Sequence, residues 1–161
     1  MPDMKLTLKA AMLLALTSAS RASERQALDI ACLTDADEED ITFALPTLTK
    51  SRKIEQKPLV ITLHGYPANP TLDVVTCVRD YISRTRSWRT TPAHRQLLLG
   101  IALPHKPVVT STISNWLKTL MEWAGVDVTT YKAHYSGGMH VKSECCRSLS
   151  CRYITCKLEA R

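Results

Sequence analysis

Apolar side chains near the N-terminus recur at helical spacing. Leu6, Leu13 and Leu16, with their neighbours between Ala10 and Ala15, predict an amphipathic helix that ends close to Thr17 and Ser18. Arg21, Glu24, Ala27, Leu28 and Ile30 carry the period onward, so the pattern predicts a second helix and a helix-turn-helix arrangement. The acidic stretch Asp35 to Asp40 reads as a solvated turn. Beyond it, Ile41-Thr42-Phe43-Ala44-Leu45 and Leu59-Val60-Ile61-Thr62-Leu63 alternate apolar and polar side chains as half-buried strands do. Paired as a β-hairpin, they present the basic run Thr49-Lys50-Ser51-Arg52-Lys53 at its tip. Pro67 and Pro70 interrupt the chain, and Val74, Val75, Val78, Tyr81 and Ile82 then predict a helix from Asp73 to Arg84. Gln96 to Leu103, bounded by Pro104 and Pro107, predicts a third short strand. Thr110 or Ser111 suits an N-cap for a last helix, whose stripe is Ile113, Trp116, Leu117, Leu120 and Ala124 and whose stop is Gly125.

The chain has 161 residues, the size of one ordinary domain, and 45% hydrophobic with 22% charged residues places it among folded rather than disordered chains. A formal net charge of +6 suits a polyanionic partner. Lys5 and Lys9 interrupt the first apolar run, and no stretch reaches the roughly 18 residues that a membrane span requires. The same N-terminal residues, followed by Ser18-Ala19-Ser20, imitate a secretory signal peptide, which gives the alternative reading of a small secreted cysteine-rich protein. The helical period that runs on past Arg21 favours a core helix instead. Cys145, Cys146, Cys151 and Cys156 crowd the C-terminal region, yet with His134 and His140 they lack the paired spacing of a zinc site, so neither metal nor cofactor is expected. Trp88, Trp116 and Trp123 could stack on bases, though Trp116 fits a core position better.

A phosphodiester can be cut without metal when cationic donors hold its non-bridging oxygens, an acid protonates the leaving alkoxide, and a side-chain oxygen attacks phosphorus. Arginine suits the clamp, because its planar fork donates two parallel bonds and stays protonated. The segment Leu14-Ala15-Leu16-Thr17-Ser18-Ala19-Ser20-Arg21-Ala22-Ser23-Glu24-Arg25-Gln26-Ala27-Leu28-Asp29-Ile30 resembles the surroundings of the first catalytic arginine in tyrosine recombinases, the phage-integrase-like enzymes, and especially their Crypton-type mobile-element forms. Tyr81 to Thr85, Pro104 to Val108, Thr112 to Lys118 and Ala124 to Asp127 resemble the same subfamily in the same order. The resemblance implies Arg21 as phosphate clamp, Glu24 as the supporting acid that orients it, and Lys50, in the hairpin, as general acid. Lys53 is the alternative general acid, Arg52 and Lys53 at the basic hairpin tip are DNA-binding candidates beside Lys50, and the resemblance implies His134 as the start of a His-x-x-Arg box that assists proton transfer.

The fold implied is a mainly α (α+β) tyrosine-recombinase catalytic domain with a small antiparallel sheet, spanning residues 5–134 and lacking its C-terminal helices. Residues 135–161 form a divergent cysteine-rich tail, for which a shifted reading frame would account. Gly137 stands where the family has its second clamp arginine, and Tyr153 lies too close to His134, in the wrong surroundings, to serve as the nucleophile. The family's reaction passes through a covalent 3′-phosphotyrosyl intermediate, and these departures predict a chain that binds double-stranded DNA without exchanging strands. The resemblance further implies an intracellular protein, nuclear or cytoplasmic, whose full-length relatives assemble as homo-oligomers on DNA, with no membrane partner. A plain DNA-binding module or a recombinase inhibitor is the remaining alternative.

Overall fold

The computed structural model describes residues 2–18, 20–35, 39–45 and 58–129. Among these, four α-helices combine with a three-stranded antiparallel sheet. Helix α1 (Pro2–Thr17) was expected to show one apolar face, but Leu8 and every residue from Ala10 to Ala15 are buried. A helical stretch buried on every side, as Ala10 to Ala15 is, belongs inside a fold. Accordingly, α1 packs against both α3 (Val74–Arg84) and α4 (Thr110–Trp123) as the central element of the core. Its end follows from side-chain chemistry: the Thr17 hydroxyl donates to the Leu13 carbonyl at 2.8 Å and the Ser18 hydroxyl to the Leu14 carbonyl at 2.5 Å, closing the last turn. No described helix is long and apolar enough to cross a membrane.

The second helix is shorter than the sequence period suggests. α2 covers only Ala22–Gln26, and Ile30–Cys32 forms a separate 3₁₀ turn. Two interactions cut the helix off: the Asp29 carboxylate accepts from the Ala31 N–H at 2.7 Å, and the Leu28 carbonyl accepts from the Leu97 N–H at 2.7 Å. The chain then enters β1 (Leu33–Thr34), a strand that the sequence pattern did not predict.

The two predicted strands form as expected, as β2 (Asp40–Leu45) and β3 (Leu59–His64). Asp40, placed by the pattern in the acidic turn, belongs to β2. The antiparallel register sets Ile41 against Leu63, Phe43 against Ile61 and Leu45 against Leu59. One face of the sheet is therefore apolar, while Thr42, opposite Thr62, lies on the other. β1 extends the sheet by pairing Leu33 with Phe43. Gly65 then lets the chain pass close to the residue before β2: its N–H donates to the Glu39 carbonyl at 2.6 Å, and a Cβ there would lie 2.5 Å from that oxygen.

Helix α3 has the boundaries that its pattern predicts. Asp73 caps it, its carboxylate accepting from the Val75 N–H at 3.1 Å and the Thr76 N–H at 3.3 Å. Within α3, Tyr81 is fully buried, and its hydroxyl accepts from the Leu99 N–H at 3.1 Å.

Gln96 to Leu103 is not a strand and makes only isolated bridges, Asp29 with Gln96 and Leu99 with Pro107. Leu97, Leu98 and Leu99 are all buried, so consecutive side chains enter the core, and their main-chain groups bond to Leu28, Tyr81, Arg89 and Val108 rather than to one neighbouring strand. Helix α4 starts from Val109, not from a Thr110 or Ser111 cap, because the Thr110 hydroxyl is turned to Gln26 Oε1 of α2. Its end is the predicted one: Gly125 takes φ +76°, with Gly125 N–H bonded to the Glu122 carbonyl and Val126 N–H to the Met121 carbonyl.

Candidate functional site

Of the residues singled out by the sequence, Arg21 and Glu24 lie together at the junction of α1 and α2. Arg21 is exposed and takes an extended backbone conformation (φ −71°, ψ 156°) as the residue that caps α2. Glu24 was expected to orient the guanidinium one turn away. Its Oε2 accepts from the Arg21 N–H at 2.8 Å, which fixes where the arginine leaves the backbone. The approach from α1 is fixed as well, by a 2.6 Å contact between the Ser18 and Ser20 hydroxyls. The junction thus holds the base of a long cationic side chain at a defined place and leaves its residue open to solvent, a geometry suited to meeting a phosphate.

Sequence reasoning missed the neighbouring arginine. Arg25 is 3% exposed, its Nη1 donates to the Ser20 carbonyl, and its Nε has no hydrogen-bond partner among the described residues. Burial lowers its pKa, partly opposed by Glu24. A signal was present: Arg25 stands three residues before the buried Leu28 and so shares its inward side. Arg25 holds the junction together from inside while Arg21 faces outward.

Lys50, Arg52, Lys53 and His134 lie outside the described residues, as do Gly137, Tyr153 and the cysteines from Cys145 to Cys156. What the structure does give is the frame around the first three. β2 and β3 pair without interruption as far as Leu45 and Leu59, so the basic run is the connection between two register-locked strands. Among the described residues no group of histidine, cysteine or acidic side chains is disposed to hold a metal, and Cys32 and Cys77 are free thiols.

The structure also joins two segments that the sequence offered separately. Trp88 and His105 stack with ring centroids 3.8 Å apart and planes 2° from parallel. Trp88, which sequence reasoning offered for stacking on bases, therefore already has a partner face. Trp116 packs against the core, as expected, and Trp123 is partly exposed. His105 Nδ1 donates to the Gly100 carbonyl at 2.9 Å, and its backbone takes φ +56°. Next to Trp88, Arg89 bonds across the loops: Nη1 donates to the His94 carbonyl at 2.8 Å and the Gln96 carbonyl at 2.6 Å, Nη2 to the Leu97 carbonyl at 2.8 Å and the Thr85 hydroxyl at 3.2 Å. This arginine works as a structural tie, a role that no spacing rule reveals.

Among known proteins, no family model matches the chain, and no curated protein or solved structure matches it.

Proposed function

We propose that this chain binds duplex DNA through its phosphate backbone, on a fold related to the catalytic domain of tyrosine recombinases, and does not itself exchange strands. The observation that carries the reading is the β2–β3 hairpin: its strands are paired in a fixed register, and the chain joining them carries Lys50, Arg52 and Lys53. The exposed Arg21, fixed at its base by Glu24, and the net charge of +6 support the same reading. In this account Arg21 clamps a phosphate with its guanidinium fork, Lys50 stands where the family keeps its general acid, and Arg52 and Lys53 neutralise flanking phosphates. Gly137 in place of the second arginine leaves half of the clamp unbuilt, so a pentacoordinate phosphorane would lack a main source of charge stabilisation.

The core position of α1 favours this reading over that of a secreted protein with a cleaved leader. Removal of residues as far as Ser20 would strip Leu8 and the whole Ala10–Ala15 run from the interior.

The test compares the full chain with the triple variant Lys50→Ala/Arg52→Ala/Lys53→Ala by fluorescence anisotropy on a labelled duplex. Denaturing gels of a nicked suicide substrate run alongside to detect a covalent adduct. The expected result is duplex binding that the triple variant weakens, with no adduct from either protein. Unchanged binding by the variant would overturn the role of the hairpin, and an adduct would overturn the claim of catalytic incompetence.

A further inference from the structure

Between Asp80 and Glu122 the chain contains no aspartate or glutamate, yet it carries Arg84, Arg86, Arg89, Arg95, Lys106 and Lys118. In the fold Arg84 ends α3 and Lys118 lies in α4, while Arg86, Arg89, Arg95 and Lys106 come from three loops that are braced into one unit. The Trp88–His105 stack joins the 3₁₀ turn Arg86–Trp88 to the loop that ends at Lys106, and Arg89 ties Thr85 to the carbonyls of His94, Gln96 and Leu97. The loop from 100 to 106 closes on itself, with the Gly100 N–H donating to the Lys106 carbonyl at 2.8 Å. A Cβ at Gly100 would come within 3.2 Å of that carbonyl, a tight contact that favours a small residue there.

Two carboxylates reach this surface from outside the acid-free stretch. Asp80 pairs with Arg84 at 2.8 Å and Asp29 with Arg95 at 3.1 Å. Those pairs cancel two charges, Asp29 also acts on Arg89, and Arg86 and Lys106 have no carboxylate paired with them among the described residues. Arg86 and Lys106 are exposed, and each lies within two residues of one of the stacked rings. A braced surface on which cations outnumber carboxylates attracts a polyanion and holds its own cations in place before contact.

From this arrangement we infer a second phosphate-contacting surface, formed by Arg86 and Lys106 on the platform of Trp88, His105 and Arg89, which takes the sugar-phosphate backbone of duplex DNA. The inference rests on the DNA-binding reading above and extends it to a face that the hairpin does not form. Arg86 and Lys106 position the duplex by charge and carry no base readout.

The experiment uses the full chain, a labelled duplex and phosphatidylserine vesicles. It compares wild type, Arg86→Ala/Lys106→Ala, the charge-keeping Arg86→Lys/Lys106→Arg and the hairpin triple variant. The inference predicts that the alanine pair lowers the slope of log affinity against log salt by about 2, that the charge-keeping pair retains the slope, and that vesicles do not bind. An alanine pair with unchanged slope, beside a weakened hairpin variant, overturns this inference and leaves the DNA-binding reading standing. Vesicle binding that the alanine pair abolishes, with duplex binding untouched, overturns it in favour of a membrane surface. Absence of duplex binding by the wild type overturns both.

Discussion

Replacing Arg89 with methionine keeps much of the side-chain volume and removes every donor of the guanidinium. Four acceptors lose their partner at once: the carbonyls of His94, Gln96 and Leu97 and the Thr85 hydroxyl. A hydrogen bond from a charged donor contributes about 1.5–3 kcal/mol, and a buried acceptor left unpaired costs about 1–3 kcal/mol. The contributions do not simply add, because Arg89 is only half-buried and water can reach part of the site. Leu97 and Thr85 are buried, however, so at least two acceptors stay dry. The net destabilisation worked from these bonds is about 2–4 kcal/mol. For a chain of this size that lowers the melting temperature by roughly 4–16 °C. Arg89→Lys should fall between wild type and Arg89→Met, because one ammonium cannot span four acceptors on two sides. Urea denaturation followed by tryptophan fluorescence reads the loss. An Arg89→Met variant whose midpoint stays at the wild-type value would refute the tie assigned to Arg89.

Asp73 supplies a pH dependence of defined sign. Burial opposes its charged form, but hydrogen bonds from Thr76, Tyr66 and Val75 outweigh burial and hold the carboxyl below its ordinary value. A folded pKa below the unfolded one gives stability that is complete above about pH 4 and is lost as the pH falls through the lower folded value. Asp73→Ala, which removes the cap, should cost about 0.5–2 kcal/mol at pH 7, and its difference from wild type should shrink in urea titrations below about pH 4. A constant difference from pH 7 to pH 3 would contradict the assignment. Cys77 is buried, and burial first, then Asp80 and Asp73, push its thiol up to about 11 against the opposing charge of Lys9. Iodoacetamide mapping by mass spectrometry should therefore find Cys77 unmodified in the native protein and modified in urea, and rapid native labelling would show that α3 is not packed as described.

The sequence made the β2–β3 pair and the helices α3 and α4 legible because each keeps one period. Ile41, Phe43 and Leu45 alternate cleanly, and Ile113, Leu117 and Leu120 repeat at helical spacing. What escaped was settled by contacts distant in sequence. Leu97 to Leu99 look like a strand because they are apolar and extended, yet their partners are Leu28, Tyr81 and Arg89, and no single strand is available to them. α1 looks amphipathic until α3 and α4 cover more than one of its sides. At the junction, Arg21 was legible as a candidate cation, while the inward turn of Arg25 depends on the Ser20 carbonyl, whose position only the folded junction fixes. Arg89 gave no signal because its partners are main-chain carbonyls, which are present in any sequence.

The central claim is that the chain holds duplex DNA by phosphate contacts, and the salt dependence of duplex affinity tests it most directly. With Arg21, Lys50, Arg52 and Lys53 each neutralising one phosphate, log affinity should fall against log salt with a slope of at least about −3.6, steepening toward about −5.4 if Arg86 and Lys106 add two more. A wild-type chain whose duplex affinity shows a slope shallower than about −1 would contradict the account.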